Sequence, residues 1–521
     1  GVELNERAAA LAELVLWIGF LQWHIRTQGR ANVAEPVVHD YRNIEHRDAV
    51  LAYDRQEPMP DANGAVLTRW DAETFKTHPV TGQPVPDEAA QVVQWRYVNP
   101  RQAEWPKADF IVGNPPFIGN KRMRVALGDG YADALRAAWP EVPESADFVM
   151  YWWHKAAETV RQGQAERFGL ITTNSLTMIF NRRVIEAQQT ATPPLSLAYA
   201  VPDHPWVDSA DGAAVRISMS VGVRGTAEGR LQTVTQEREA ESGEVDVELA
   251  TWQGIIHSDL RVGANLTRCV KLAANSRLSY MGMIPLGAGF WVDQQRAEAL
   301  GLGTVPGLEQ HVRRYVNGKD LTATSRGILA LDFYGLTEAQ LLERFPAAWQ
   351  WLHDEVKPKR DQDKRPSRRR NWWLWGESVP KFREAARGLR RYIGTAETAK
   401  HRTFVFIDGD VLPDQKVRAV ASDDALVLGV LSSQAHVRWA LATGGTLEDR
   451  PVYNTTTCFE PFPFPDLDRA GALAQRIRTL AERIDAHRKA QLAAHPDATL
   501  TATYNVLEKL RSGEAVTAKA K

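Results

Sequence analysis

The sequence predicts an α/β protein whose first part is a doubly wound sheet. Short apolar stretches alternate with helical stretches from Val2 to Val223, which is typical of strands covered by helices. The closing strands, Leu195–Val201 and Ala213–Val223, are separated by a Pro- and Asp-rich loop with no room for a helix, so we expect them to be antiparallel. At 521 residues the chain is long enough for two or three domains.

The N-terminal elements are the end of a strand and a helix. Val2 to Leu4 predicts the strand end, and the absence of Met before it suggests a processed, truncated or partial chain. Arg7 to Arg26 predicts a helix that is apolar on most sides, so we expect it to be buried against a sheet. No uninterrupted apolar run is long enough for a membrane span, so we expect no membrane partner.

The middle of the first part predicts a long loop followed by strand, helix and strand. Residues 54–104 are polar and rich in Pro, Gly and Asp, which is typical of a loop or insertion. The pattern then predicts a strand over 109–113, a helix from Phe148 to Val160 and a strand over 168–173.

Composition changes after Arg224 and indicates further domains. We expect a catalytic domain over 1–224, a linker or exposed hairpin over 225–254, a mixed α+β domain over 255–465 and C-terminal helices over 466–521. The helical pattern begins near Arg469, where apolar residues recur every three or four positions.

Charge and cysteine content exclude some classes of protein. The formal net charge is −1, so any attraction for nucleic acid must come from local basic segments. Two cysteines far apart in sequence exclude a disulfide framework and a Cys-based zinc site, and fit a reducing cytoplasm. We expect no metal.

The most informative motif is Gly-Asn-Pro-Pro-Phe at the end of the strand 109–113. Two prolines fix the loop in one extended shape, so the side-chain oxygen of Asn114 and the backbone carbonyl of Pro115 can converge on one point. Two converging acceptors suit an exocyclic amine, and the ring of Phe117 offers a face for a planar group. Pro116 completes the motif. The alternative is a proline-rich turn after a core strand.

Other polar residues follow the neighbouring strands. Glu3 ends the first strand, where an acidic side chain accepts hydrogen bonds from ribose hydroxyls in doubly wound folds. Asp48 stands where the next strand should end and would accept from a cofactor's adenine amine. Thr172, Thr173 and Asn174 follow the strand 168–173 and would line the same pocket, although Asn174 is the better candidate for a helix N-cap.

The order of these motifs resembles the γ-class N6-adenine DNA methyltransferases. Within that class the chain is similar to the MmeI-like branch of restriction–modification enzymes and to the methyltransferases of DISARM-type phage defence. The resemblance covers nearly the whole chain. Its further runs are Ala12–Gly19, Pro202–Trp206, Asp332–Gly335 and Cys458–Pro465.

The resemblance implies a Rossmann-like sheet that uses S-adenosylmethionine and is followed by a target-recognition domain. Asn114 would serve both the base and the cofactor, and Glu3 and Asp48 would hold the cofactor. The target adenine would flip out of the duplex, stack on Phe117 and present N6 to the acceptors of Asn114 and Pro115. One departure is the family's glycine-rich turn before the Glu3 strand, which the sequence lacks. We therefore expect an upstream segment or another chain to supply it.

A basic segment in the second half is the main candidate for contact with double-stranded DNA. Lys357 to Arg370 is mostly Lys and Arg, and three tryptophans follow, which suits phosphate contact with stacking. The alternative is a solvated loop above a packed Trp cluster. The candidate DNA-binding residues are Arg314, Asn317, Lys319, Lys364, Arg365, Arg368, Arg369 and Arg370.

Two other functions stay open. N4 of cytosine is an alternative acceptor for the same motif. Alternatively, the chain is a non-catalytic DNA-recognition part of a split or truncated methyltransferase, because the glycine-rich turn is absent. Other subunits of a defence system are further possible partners.

Overall fold

A computed structural model of the chain has two compact units, Gly1–Asn265 and Leu266–Lys521. Each unit has its own hydrophobic core. The residues that the structure describes are 1–29, 43–61, 63–71, 73–77, 84–206, 215–239, 245–363, 365–447, 450–466 and 471–513.

The first unit begins with a small parallel sheet and a long helix. Strand β1 (Val2–Glu3) pairs in parallel with β2 (Glu45–His46), and helix α1 (Glu6–Gln28) follows β1. The helix was predicted, but its predicted burial is wrong, since Ala9 is the one buried side chain in α1. Two strands of two residues offer too little surface to cover a helix of 23 residues. Large apolar side chains of α1 are therefore exposed on several sides: Leu11, Leu14, Val15, Leu16, Ile18, Phe20, Trp23 and Ile25.

Helix α1 is also long and apolar enough to cross a membrane, judged by length and composition. Among the described residues it is the one helix with this property. The helix has this property although polar residues such as Gln22 interrupt its apolar run, so the expectation of no membrane partner stays a prediction.

The described residues within 54–104 form paired strands, where a loop or insertion was predicted. Four short antiparallel ladders, β3–β10, β4–β9, β5–β8 and β6–β7, nest inside one another. Strands of two to four residues between Pro, Gly and Asp carry too little periodicity to be predicted. The strands are β3 (Leu51–Ala52), β4 (Arg55–Pro58), β5 (Thr68–Trp70), β6 (Phe75–Thr77), β7 (Pro84–Pro86), β8 (Gln91–Val93), β9 (Trp95–Val98) and β10 (Arg101–Gln102).

A six-stranded sheet forms the centre of the first unit, in the order β11-β12-β14-β13-β15-β16. Strands β11 and β12 are parallel, and β13 and β14 are antiparallel, as predicted. The hairpin β15–β16 continues the sheet beyond β13. These elements are β11 (Phe110–Gly113), α2 (Asn120–Leu127), α3 (Asp129–Ala138), α4 (Val149–Arg161), β12 (Arg167–Thr173), α5 (Ile179–Thr190), β13 (Leu195–Trp206), β14 (Val215–Arg224), β15 (Gly229–Glu239) and β16 (Val245–Gly254).

Helix α4 packs against this sheet and holds the core together. Trp153 is fully buried, and its indole N–H donates to the hydroxyl of Ser220 on β14 at 3.1 Å. Phe168 on β12 lies edge-on to Trp153. Gly222 leaves the space that this ring occupies, because a Cβ there would lie 2.1 Å from the ring of Phe168. The sheet edge that carries the Asn-Pro-Pro-Phe loop is thus fixed to a rigid core.

The second unit contains two four-stranded sheets, β17-β24-β21-β22 and β18-β20-β19-β23, with helices around them. Its last two helices confirm the predicted helical C-terminal pattern. The strands are β17 (Ser279–Met281), β18 (Trp291–Val292), β19 (Val312–Val316), β20 (Leu329–Leu331), β21 (Arg391–Ala396), β22 (Val405–Asp408), β23 (Leu412–Pro413), β24 (Val417–Val420), β25 (Gly445–Leu447) and β26 (Arg450–Val452). The helices are α6 (Gln294–Ala299), α7 (Gly318–Thr322), α8 (Glu338–Arg344), α9 (Pro346–Glu355), α10 (Lys357–Arg360), α11 (Pro366–Arg370), α12 (Pro380–Ala385), α13 (Ala425–Leu431), α14 (Gln434–Thr443), α15 (Gly471–Ala494) and α16 (Leu500–Ser512).

Candidate active site

The Asn-Pro-Pro-Phe loop leaves the carboxyl end of β11 and exposes three of its four side chains, including those of Asn114 and Phe117. Pro115 is buried, whereas Asn114 and Phe117 are exposed. The loop turns at once, because the backbone N–H of Ile118 donates to the carbonyl of Pro116 at 3.1 Å. Within the described part of the chain the amide of Asn114 has no hydrogen-bond partner, and Phe117 keeps 37% of its surface exposed. The loop can therefore offer an acceptor and a ring face to a ligand.

Glu3 lies at the end of β1, as predicted. Its Oε1 accepts a hydrogen bond from the backbone N–H of Asn5 at 2.9 Å, next to the start of α1. No described residue donates to its Oε2, so Glu3 retains an acceptor for a hydroxyl group.

Asp48 is largely occupied by donors of the protein itself. Its Oδ1 accepts from the backbone N–H groups of Val50 and Leu51, at 2.8 and 2.9 Å. Its Oδ2 accepts from the Tyr131 hydroxyl at 2.6 Å. Burial, and then the charge of Asp48, raise the pKa of Tyr131, so the hydroxyl keeps its proton and donates. Three of about four acceptor positions are used, which leaves Asp48 mainly a structural group in this structure.

The residues after β12 are partly engaged as well. Thr172 is buried, and its hydroxyl donates to the backbone oxygen of Ser218 at 3.3 Å. The hydroxyls of Thr173 and Ser175 lie 2.5 Å apart. Asn174 does not cap a helix, so that expectation was wrong. It is the first residue inside a 3-10 helix, and its amide donates to Asp203 at 3.2 Å.

The predicted site residues lie on two different sheets of the first unit. Glu3 belongs to the two-stranded sheet β1–β2, and Asn114 to Phe117 follow β11 of the six-stranded sheet. Strand β11 is an edge strand whose outer side has no partner among the described residues. The side chains of Phe110 and Val112 on β11 are exposed, Val112 by 85%. The edge next to the candidate site is therefore apolar and open.

In the second unit, the first group of candidate DNA-binding residues is partly committed to structure. Arg314 forms ion pairs of 2.8 Å with both Asp408 and Asp410. The side chain of Asn317 caps α7, accepting from the backbone N–H groups of Lys319 and Asp320. Lys319 is exposed. Of these three residues, Lys319 is the one whose polar group faces solvent without a partner in the described residues.

The basic segment 357–370 is folded over buried tryptophans. Arg365 and Arg368 both pair with Glu377, at 3.1 and 2.8 Å. Arg369 donates to the carbonyl oxygen of Asp363 at 2.6 Å, and Arg370 is exposed with no partner among the described residues. Lys364 lies outside the described residues. The tryptophans that follow the segment are buried, so they are unavailable for stacking in this structure: Trp372, Trp373 and Trp375.

A cleft beside this segment holds an aromatic residue that was not among the predicted site residues. Its volume is about 590 Å³, and Tyr334 lines it with a half-exposed ring. The guanidinium of Arg383 lies 4.5 Å from the centre of that ring and pairs with both oxygens of buried Asp332. A buried ion pair under an exposed ring fixes that ring in place. The Asp-Phe-Tyr-Gly run in the sequence was the one signal that pointed here.

Family comparisons match both units. Residues 1–235 match the family model described as "MmeI, DNA-methyltransferase domain", and residues 275–466 match the model described as "MmeI, target recognition domain". No curated protein matches the chain. The two models follow each other in the order that the sequence predicts for a catalytic and a recognition domain.

One solved structure supports the fold. The chain is similar to the type IIL restriction–modification enzyme MmeI solved in complex with DNA, at 20% identity and a TM-score of 0.60 over 76% of this chain and 51% of that one. The chain thus spans about half the length of that enzyme. A modification subunit of a type I restriction enzyme from Vibrio vulnificus YJ016 matches at 14% identity with a TM-score of 0.22, over 30% of this chain and 34% of that one. The type IIG endonuclease BpuSI matches at 11% identity with a TM-score of 0.26, over 72% and 49%. Scores of that size support no inference.

Proposed function

We propose that the chain, which carries an MmeI-type methyltransferase domain followed by an MmeI-type target recognition domain, methylates N6 of adenine at specific sites in double-stranded DNA. The observation that carries this proposal is the loop Asn114–Phe117. It presents an amide that has no partner among the described residues, and an exposed ring, inside the domain that matches the methyltransferase model. The methyl donor in the proposal is S-adenosylmethionine.

The loop residues would act on an adenine that has left the duplex, since an amine inside a stacked base pair cannot be reached. Phe117 would stack on the flipped base. The side-chain oxygen of Asn114 and the carbonyl of Pro115 would accept hydrogen bonds from N6. These bonds hold the nitrogen lone pair away from the ring and fix its direction, so positioning and electrostatics supply most of the catalysis.

The residues present fit S-adenosylmethionine in part. Glu3 has a free carboxylate oxygen for ribose hydroxyls, whereas Asp48 already accepts three hydrogen bonds from the protein. Together with Asn114, Glu3 is the residue that would hold the donor. When bound, S-adenosylmethionine would supply an electrophilic methyl group, which would replace one proton of the target amine.

The open edge of β11 and the uncovered helix α1 support the proposal that a further segment completes this site. A parallel edge strand with exposed Phe110 and Val112 is a template for another strand. The exposed apolar side chains of α1 also need to be covered, and both that segment and a membrane could cover them. We favour a protein segment with a glycine-rich turn, because a membrane does not satisfy the backbone groups of a strand edge.

The biological role proposed is restriction–modification or phage defence, with the DNA in the cytoplasm as substrate. The target recognition domain supports DNA as the partner. Lys319, Arg365, Arg368, Arg369 and Arg370 remain the proposed DNA contacts. Other subunits of a defence system remain proposed partners.

The test uses tritium-labelled S-adenosylmethionine and unmethylated genomic DNA, followed by digestion to nucleosides. We expect label in N6-methyladenine, and Asn114→Ala should abolish it while the melting temperature is unchanged. The reaction is run with this chain and with the protein of its whole reading frame, so that a missing segment is supplied.

Two other outcomes would decide against adenine methylation. Label in N4-methylcytosine would assign the cytosine alternative, which the same loop chemistry allows. No label with either protein, together with intact DNA binding, would assign a non-catalytic recognition function.

A further inference from the structure

A buried carboxylate lies behind the Asn-Pro-Pro-Phe loop and belongs to none of the groups assigned so far. Asp147 lies two residues before the start of α4 and is 8% exposed. Its Oδ1 accepts from the backbone N–H of Asn120 at 2.9 Å. Asn120 is the first residue of α2, three positions after Phe117. Asp147 therefore binds the point at which the loop ends.

The other oxygen of Asp147 binds the residues that follow β12. Its Oδ2 accepts from the hydroxyl of Ser175 and from the amide of Asn181, each at 2.8 Å. The backbone N–H of Asp147 donates in return to Asn181 at 2.9 Å. Asn181 is fully buried and also donates to the backbone oxygen of Ser175 at 2.9 Å. One carboxylate thus joins the loops that follow two neighbouring parallel strands.

A second bond acts on the same loop. The backbone N–H of Phe148 donates to the carbonyl of Ile118 at 2.9 Å. The four residues Asn114 to Phe117 are thereby held between β11 on one side and this pair of bonds on the other. No other strand can fix the loop here, because the outer side of β11 is open among the described residues.

The donors to Asp147 are all neutral. Two are backbone or hydroxyl groups and one is an amide, and within the described ranges no Lys or Arg donates to it. A buried carboxylate without a cation is unfavourable unless its hydrogen bonds are complete, so such a group is weak as a device for stability. Its geometry, in contrast, is exacting, since each bond arrives from a different element.

We propose that Asp147 is a positioning residue for methyl transfer, which fixes Asn114 and Phe117 through the N–H of Asn120. The inference rests on the proposed function, and its experiment separates the two. Because a small misplacement of the reacting groups costs about 10²-fold in rate, loosening the loop should lower kcat without changing DNA affinity.

Two variants act on the same contact from opposite ends. Asp147→Asn keeps one acceptor oxygen and places an amide donor among three donors, so the side chain can no longer accept from the loops after β11 and β12 at the same time. Asn120→Pro removes the N–H itself, and proline is tolerated at the first position of a helix. Gly119 before it has ψ of 147°, which the residue before a proline prefers. The matched control is Asn120→Ala, which keeps the N–H and loses the side-chain bond from Arg136.

A second control loosens the other end of α2. Asp133→Asn removes the exposed ion pair with Arg124 but leaves the loop untouched. We expect Asp147→Asn and Asn120→Pro to lower single-turnover transfer by about 10- to 100-fold, with the Kd for DNA within about twofold. Both controls should stay within about twofold of the parent protein. Amide hydrogen exchange over 114–120, which needs no activity, should accelerate in the two variants only.

The outcomes separate the inference from the proposed function. Folded Asp147→Asn and Asn120→Pro proteins with unchanged transfer and exchange would overturn the inference. A joint loss of transfer, DNA binding and melting temperature would also overturn it, because it would show a general structural role. If the parent protein transfers no methyl group, the proposed function fails, and the exchange of residues 114–120 alone decides whether Asp147 positions the loop.

Discussion

Two segments of this chain combine aromatic residues with a motif that predicts ligand binding, but their aromatic side chains differ in exposure. In the loop after β11, Phe117 is exposed to 37%. In the basic segment of the second unit, Trp375 is exposed to 6%, and Trp372 and Trp373 are also buried. Arg365, Arg369 and Arg370 of that segment are exposed, whereas Arg360 and the three tryptophan rings are buried.

The difference follows from what the backbone allows. Pro115 and Pro116 restrict the backbone of the loop, and the ring of Phe117 stays exposed. The second segment forms the short helices α10 and α11, so the tryptophans after it can reach the core and donate their N–H groups to backbone oxygens, as Trp375 does to Leu331 at 2.8 Å. Aromatic residues near a motif therefore indicate a binding surface only when the backbone keeps them out of the core.

The largest expected effect is on the free energy of unfolding and comes from replacing the buried Trp375. Trp375→Ala should destabilise the second unit by about 3–5 kcal/mol, because it leaves a large cavity and an unpaired backbone oxygen at Leu331. Urea denaturation followed by circular dichroism would measure this. Phe117→Ala is the matched control and should change the free energy of unfolding by less than about 0.5 kcal/mol. Equal losses in both variants would contradict the comparison.

The next largest effect is on turnover and comes from replacing the exposed Phe117. Under the proposed function, Phe117→Ala should lower kcat/KM for methyl transfer by about 5- to 160-fold, the equivalent of about 1–3 kcal/mol of base stacking. Phe117→Tyr keeps the ring face and should retain most of the activity. A Phe117→Ala protein with unchanged kcat/KM would remove Phe117 from the site.

A buried and an exposed histidine should also differ in their effect on stability at low pH. Burial lowers the pKa of His436, in the second unit, to about 3, and the charge of Arg402 adds to this. The folded protein thus keeps His436 neutral, while the unfolded chain takes up a proton below about pH 6.5. Stability is then complete above that pH and falls as the pH drops towards 3, by about 1–2 kcal/mol between pH 6.5 and 5.

His436→Gln tests that assignment, since glutamine cannot take up the proton. Thermal melts between pH 7 and pH 5 should then show a shallower loss of stability than the parent protein. His495→Gln, at an exposed position, should leave the loss unchanged. An unaltered pH profile for His436→Gln would show that another group controls the acid sensitivity.

The smallest effect concerns the surface arginines. Arg370 has no partner among the residues described, whereas Arg365 pairs with Glu377. If both contact DNA phosphates, Arg370→Ala should reduce the slope of log K against log salt concentration by about 0.9. Arg365→Ala should reduce it less, because the charge of Arg365 is already balanced in part by Glu377. Filter binding at several salt concentrations gives both slopes, and identical slopes in all three proteins would exclude phosphate contact by these arginines.

The sequence predicted the strands and helices that have strong periodicity. Helix α4 and strand β12 begin and end within one residue of their predicted bounds. Strand β11 and its loop were also predicted, because a short apolar run before two prolines has few other structures. The nested ladders of 51–102 were missed, since their strands are too short to show alternation.

The interactions that matter most for the site were beyond sequence reasoning for another reason. Asp147 binds Asn120, Ser175 and Asn181, which lie 27 to 34 positions away in the chain, and no local spacing marks them. Asp48 was predicted as a cofactor ligand from its place after a strand, yet its oxygens face Tyr131 and two backbone N–H groups. The exposure of α1 was missed because an apolar helix alone does not reveal what covers it.

The open side of β11 has a practical consequence for handling the protein. The N–H and carbonyl groups on this side of β11, which have no partner strand among the described residues, would pair with the same edge of another molecule as readily as with a completing strand. Self-association should therefore rise with protein concentration. A charged residue at Val112 would disfavour such pairing, and it would equally disfavour the completing strand. The same open edge of β11 therefore favours both the binding of a completing strand and the self-association of the protein.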